Sequence, residues 1–212
     1  MGEFDNGFTF YVGNMFGGKT AQMIVDLQRA EIAGKKVQAF KINWDNRYEE
    51  GYLTANNGQL KFPAISVSDF DTLRKHLIED IEVLGIDELQ FFDWRCIDFI
   101  KKFKNKIKII GTALQYNYRG EPFALRKIDD KEIDSKYSVG SLMELAHLII
   151  HKLPVCTHGE NGEICGRIAL YPQRLNEDGS FSKHEDKTIV VGGVNKYFPR
   201  CEKHFVRPER NV

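Results

Sequence analysis

The sequence predicts an α/β fold: an open, mostly parallel sheet with helices on both faces, followed by a small metal-binding appendage. Three observations carry this. A glycine-rich turn, GNMFGGKT at residues 13–20, sits between an apolar run and a helical pattern. Short apolar strands then alternate with amphipathic helices. After residue 153 glycine, cysteine and turn residues replace that rhythm.

Residues 8–12 (FTFYV) read as a strand, and residues 20–33 carry Met23, Ile24, Leu27 and Ala30 at helical spacing. Gly34 can end that helix in the left-handed conformation, and residues 36–42 form a second strand whose natural connection is a parallel crossover. Residues 83–86 (VLGI) and 107–111 are buried strands, accompanied by helices at 72–81 and 94–103. Residues 142–146 read as a helix start and 147–153 as a last strand. Residues 120–141 are charged, lack periodicity and are the expected mobile loop. The expected division is therefore a nucleotide-binding domain over residues 1–153 and a zinc-binding subdomain with its tail over 154–212.

Thirty basic residues balance thirty acidic ones, so no global field draws the chain to nucleic acid or to an anionic membrane. The apolar runs are too short to span a bilayer, and the N-terminus MGEFDNGFTF lacks a secretory pattern. A cytoplasmic location is expected. In a reducing compartment Cys96, Cys156, Cys165 and Cys201 are thiols or metal ligands rather than disulfides. Cys96, on a helical apolar pattern, reads as a packed residue.

The stretch GNMFGGKT fits the phosphate-loop pattern. Gly13, Gly17 and Gly18 let backbone N–H groups face an anion, Lys19 reaches the outer phosphates and Thr20 holds Mg²⁺. At the end of the strand at 83–86, Asp87 has the position of an acid that orders the Mg²⁺ shell, leaving Glu88 free to accept a proton from an attacking oxygen. A merely polar strand end is the competing reading. Cys201 and His204 have the spacing of half a zinc site; Cys156 and Cys165 are a looser half, with eight residues between them and His158 competing as a ligand. A segment too small for its own core favours Zn²⁺ over free thiols.

Together GNMFGGKT, IDELQFF at 86–92, RGEPF at 119–123 and the late cysteine cluster resemble the cytosolic, zinc-lasso (type II) thymidine kinase family, over residues 8–205. The resemblance implies a RecA-like P-loop NTPase fold and transfer of the γ-phosphate of ATP to the 5′-hydroxyl of thymidine. It implies Glu88 as general base, Arg47 near the phosphates, and zinc held by Cys156, Cys165, Cys201 and His204. Met15, Gln90, Phe91, Leu114, Tyr118 and Phe123 would line the nucleoside site, with Tyr171, Val190 and Tyr197 near its base or sugar. It further implies a homotetramer and feedback inhibition by dTTP.

Three departures from the family pattern bear on base preference and lasso geometry: Pro172 in place of a threonine or serine, Gln115 in place of aspartate, and Asn56 in place of histidine. A deoxynucleoside kinase of altered base preference is the nearest alternative. Asp87-Glu88-x-Gln90 also resembles a helicase acid box, but a motor needs a second domain and a basic track. A zinc-ribbon module without chemistry would leave the phosphate loop unexplained.

Overall fold

The computed structural model describes residues 4–43, 51–55, 58–126, 133–160, 162–189 and 196–209. Its centre is a six-stranded, wholly parallel sheet in the order β10–β1–β7–β6–β2–β5. These strands are β1 (Gly7–Gly13), β2 (Val37–Ile42), β5 (Ile65–Val67), β6 (Val83–Ile86), β7 (Lys108–Leu114) and β10 (Leu148–Lys152). Two short strands, β3 (Tyr52–Ala55) and β4 (Leu60–Pro63), form an antiparallel pair beside it.

Alternation along the strands divides the interior in two. Phe8, Phe10 and Val12 of β1, with Leu84, Ile86 and Ile109, face α2 (Phe70–His76), α3 (Arg95–Phe103) and α4 (Val139–Met143). Tyr11, Ala39, Val83 and Ile110 face the opposite way, against Met23, Ile24, Leu27 and Ala30 of α1 (Lys19–Ile32) and against Leu53 and Phe62 of the β3–β4 pair. Helices therefore cover both faces of the sheet, which is the condition for a parallel sheet to stay dry.

The helix ends have identifiable causes. α1 ends in a Schellman arrangement: Gly34 takes φ 75°, its N–H reaches the Glu31 carbonyl at 2.9 Å, and the Lys35 N–H reaches that of Ala30 at 3.0 Å. α2 starts at residue 70, earlier than the periodicity suggests, because the Asp69 carboxylate caps the Thr72 N–H at 2.7 Å. It stops at 76 because Gln38 of β2 reaches across: its amide donates to the His76 carbonyl at 2.7 Å and accepts from the Ile78 N–H at 3.1 Å. α4 likewise lies upstream of the expected 142–146, opened by a Ser138–Ser141 capping box.

Part of the expected mobile loop at 120–141 is instead an antiparallel pair, β8 (Ala124–Arg126) with β9 (Ile133–Ser138), followed by the start of α4. After β10 the chain forms only small two-stranded pieces: β11 (Gly159–Glu160) with β12 (Glu163–Ile164), and β13 (Tyr171–Arg174) with β14 (Tyr197–Arg200). Cys96 is buried in the core among the α3 side chains, and burial pushes its thiol well above the usual range, as befits a packing residue. Among the described residues no helix is long and apolar enough to cross a membrane.

The two cores press close to the sheet at its glycines. A Cβ on Gly111 would lie 2.5 Å from Leu89 Cδ1 and 2.9 Å from a Phe8 ring carbon. Gly111→Ala should cost about 1–3 kcal/mol through overpacking, read as a fall of roughly 3–10 °C in Tm by thermal denaturation.

Candidate active site

The parallel strands direct their C-terminal ends to one edge, where open α/β sheets hold their ligands. There β1 gives way to the glycine-rich turn, which folds tightly around the last strand. A Cβ on Gly13 would sit 2.2 Å from the Lys152 carbonyl oxygen at the end of β10, and one on Gly17 only 1.9 Å from it. Backbone cannot yield to that contact, so both positions require glycine. Gly18 adopts φ 78° and caps α1, whose N-terminus is thereby aimed into the turn.

Lys19 is 6 % exposed, and its Nζ donates to the Asn14 carbonyl at 2.8 Å across the turn. Burial holds its basicity below the ordinary lysine range, against the opposing fields of Glu88 and Asp87. Asn14 is itself buried and fixes the neighbouring N–H of Met15 through its Oδ1 at 2.7 Å.

Opposite the turn, β6 ends in Asp87. Its carboxylate accepts from Thr20 Oγ1 at 3.1 and 3.3 Å and from Thr112 Oγ1 at 2.5 Å. Burial, and next the neighbouring Glu88, push the Asp87 carboxyl up to about 6. Thr112, on β7, also accepts the Glu88 N–H at 3.0 Å, so one hydroxyl ties the two acidic residues together. Glu88 has φ 54° and ψ 49°, a left-handed conformation costing a non-glycine residue about 1–3 kcal/mol. Gln90 Nε2 donates to the Glu88 carboxylate. Phosphate loop, acid pair and lysine thus converge as the spacing predicts. Arg47 lies outside the described residues.

The expected nucleoside wall is partly assembled. Phe91 and Phe123 meet edge to face with centroids 5.9 Å apart, Phe91 and Leu114 pack on the core, and Met15 is half-buried on the turn. Tyr118 is engaged differently. At 2 % exposure its ring lies under the Arg174 guanidinium at 3.6 Å, with Arg119 at 5.1 Å. Its hydroxyl sits 2.8–3.1 Å from the carbonyls of Lys183, His184 and Asp186. Arg119 adds bonds to His184 O, Asp186 O and Thr188 Oγ1 at 2.7, 2.8 and 2.7 Å. Tyr118, Arg119 and Arg174 therefore anchor the base of the late loop.

Tyr171 stacks on Phe205 at 4.5 Å, and buried Tyr197 pairs with Arg174 across β13 and β14. Val190 lies outside the described residues, as does Asn56. Pro172 faces Pro199 in the same ladder, and the Pro199 carbonyl instead accepts the Thr157 N–H at 3.2 Å. Gln115 uses its backbone, donating to the Gly13 carbonyl at 3.0 Å and so tying β7 to the phosphate loop.

In the appendage, Sγ of Cys156, Cys165 and Cys201 and a ring nitrogen of His204 all lie within 4.8 Å of one another. Sγ of Cys156 and of Cys201 are each 3.6 Å from His204 Nδ1, and the Cys165 and Cys201 sulfurs are 3.9 Å apart. A tetrahedral ion with Zn–S bonds of about 2.3 Å requires ligand separations of about 3.8 Å, so the cluster could hold Zn²⁺. The wide spacing between Cys156 and Cys165 is taken up by the β11–β12 hairpin, closed by Cys165 N–H to His158 O at 2.9 Å and Gly166 N–H to Cys156 O at 3.1 Å. His158 packs its ring 4.2 Å from that of His204 and is not one of the four donors.

Thr112 and the Arg119–Tyr118–Arg174 stack escaped sequence reasoning. A hydroxyl residue within the apolar run IIGTAL was the available signal for Thr112. A cavity of about 550 Å³ between α1 and β10, bordered by Tyr11, Asp26 and Lys152, is lined by neither Asp87 nor Glu88.

The family model for thymidine kinase matches residues 7–205. The chain is also 33% identical over 201 residues to the thymidine kinase of Coprothermobacter proteolyticus, a match spanning 94% of this chain and 90% of that protein.

Two outcomes follow from this geometry. Because the folded-state pKa of Asp87 is raised, its stabilising contribution is present at low pH and lost as pH rises through about 6. Unliganded Asp87→Asn protein should therefore exceed the parent in stability at pH 8 by about 1–3 kcal/mol, with the gap closing towards pH 4 in denaturant titrations. Metal analysis should find one zinc per chain. Chelation or Cys201→Ser should lower Tm and speed tryptic cleavage after Lys183 and Lys187, since among the described residues the apolar cluster around these ligands is Cys156, Ala169 and Cys201 with Cys165 packed against it.

Proposed function

The chain belongs to the thymidine kinase family, and we propose that it transfers the γ-phosphate of ATP to the 5′-hydroxyl of thymidine, giving dTMP and ADP. The observation that carries this reading is the adjacent pair of buried Asp87 and half-buried Glu88, the former tied by Thr20 to the phosphate loop, with a buried lysine facing them. A second carboxylate beside the metal acid can take a proton from an attacking water or from an acceptor hydroxyl. The family match favours the hydroxyl of a nucleoside over water.

In this account the loop N–H groups and Lys19 receive the β- and γ-phosphates of the donor. Thr20 Oγ1 and Asp87 would hold Mg²⁺, whose chemistry is to neutralise phosphate charge. The fit rests on Asp87 itself: a buried carboxylate with a raised pKa is a group that a cation would relieve. Glu88 accepts the proton of the 5′-hydroxyl as that oxygen attacks the γ-phosphorus in line, and ADP leaves. Phe91, Phe123, Leu114 and Met15 offer an apolar wall to the nucleoside. The loop anchored by Tyr118, Arg119 and Arg174 closes over it and excludes competing water.

The reading extends, on family grounds, to a division at residue 153, a homotetramer in the cytoplasm and feedback inhibition by dTTP. The test of the core claim is direct. With ATP, Mg²⁺ and thymidine the purified protein should make dTMP, and Glu88→Gln should lower kcat by about 10²–10⁴-fold with ATP binding retained. A panel of thymidine, deoxyuridine, deoxycytidine and guanosine should favour thymidine. Absence of dTMP, or an unaltered kcat in Glu88→Gln, would refute the proposal.

A further inference from the structure

We infer that Gln90 is a positioning residue for the general base: it holds the Glu88 carboxylate towards the acceptor and off the phosphate-loop lysine, rather than contacting the nucleoside. The inference rests on the reading of Glu88 as the base.

The side chain of Gln90 is 0 % exposed and lies on the short 3₁₀ turn Leu89–Phe91 that follows Glu88. Both ends of its carboxamide are committed. Oε1 accepts the Leu114 N–H at 3.1 Å, at the end of β7. A carbonyl oxygen is required there, because an N–H donor cannot be met by an NH₂ group, so the orientation of the amide is fixed. Nε2 consequently points the other way, and it donates to Glu88 Oε2. The sheet, through Leu114, thus sets the direction of a hydrogen bond to the base.

Such a bond is needed because of what lies near Glu88. Its carboxylate is the larger of the two acidic fields acting on buried Lys19. In a dry site an unrestrained carboxylate is drawn to an ammonium group, since their attraction grows as water is excluded. A Glu88–Lys19 ion pair would occupy the lysine meant for phosphate and turn the base from the hydroxyl. Two restraints oppose this. Thr112 fixes the Glu88 backbone by accepting its N–H at 3.0 Å, and Gln90 fixes the carboxylate. The left-handed backbone at Glu88 makes that double restraint intelligible, for a residue at φ 54° stays there only when its surroundings over-determine it.

The test is a double-mutant cycle by rapid-quench measurement of dTMP formation. Gln90→Leu, which keeps the volume and removes the amide, should lower kcat by about 10- to 100-fold and leave the thymidine KM within about twofold. In a Glu88→Gln background the same change should cause no further loss, because its effect passes through the base. Gln90→Met is made in parallel in case the leucine variant folds poorly, with the same outcome expected. A raised thymidine KM with kcat preserved would overturn the inference in favour of a nucleoside contact. A full additional loss in the Glu88→Gln background would overturn it in favour of a structural role. If Glu88→Gln alone leaves kcat intact, the assignment of the base fails instead, a result distinct from both.

Discussion

The carboxylate of Asp87 is the constraint around which the C-terminal edge of the sheet is arranged. It is buried, it costs stability when ionised, and its hydrogen bonds come from two elements that the chain must bring together. Thr20 opens α1, and Thr112 stands on β7 beside β6. Any displacement of α1 from the sheet, or of β6 from β7, would strip a bond from a buried charge. Losing one partner of such a group is far costlier than the bond is worth while it lasts. The same contacts that hold the fold in register therefore hold Asp87 opposite the glycine-rich turn.

A second constraint acts from the far end of the chain. The phosphate loop is wrapped on the Lys152 carbonyl so closely that neither Gly13 nor Gly17 can carry a side chain. β10 is an edge strand that pairs with β1 in parallel register, placing Lys152 beside Gly13. The curvature of a local motif is thus set by a strand about 140 residues later. Beyond that strand, the Cys156–Cys165–Cys201–His204 cluster and the Arg119–Tyr118–Arg174 stack take over from apolar burial, since the appendage's apolar cluster among the described residues is small. Stability there would rest on a metal held by that cluster and rests on carbonyl groups satisfied by guanidinium donors.

Features that depend on local pattern were legible in the sequence. The strand, glycine turn and helix around residues 7–32 could be read because each residue's demand is local: apolar alternation, φ greater than zero, helical spacing. The acid pair followed from its place after an apolar strand, and the Cys/His cluster from the chemical type of its residues. What was not legible depends on remote partners. The end of α2 at residue 76 is fixed by Gln38, from a strand 38 residues earlier, together with the local contact of His76 Nδ1 to the Thr72 carbonyl at 2.8 Å. The charged stretch after residue 120 pairs β8 with β9 although no clean alternation marks it. Tyr118 and Gln90 are polar-tipped residues in a motif otherwise suited to line a ligand. Only the positions of the late-loop carbonyls and of the Leu114 N–H reveal that both are already engaged.

The most direct test of Asp87 as the metal-site acid is its titration, followed by ¹³C NMR of the side-chain carboxyl with Asp87→Asn protein to assign the signal. In the ligand-free protein the midpoint should lie at about 6, and adding Mg²⁺ with a non-hydrolysable ATP analogue should move it well down, because a bound cation favours the ionised form. A midpoint in the ordinary aspartate range that ignores Mg²⁺ and nucleotide would contradict the account, since Asp87 would then be neither buried against Glu88 nor facing the metal.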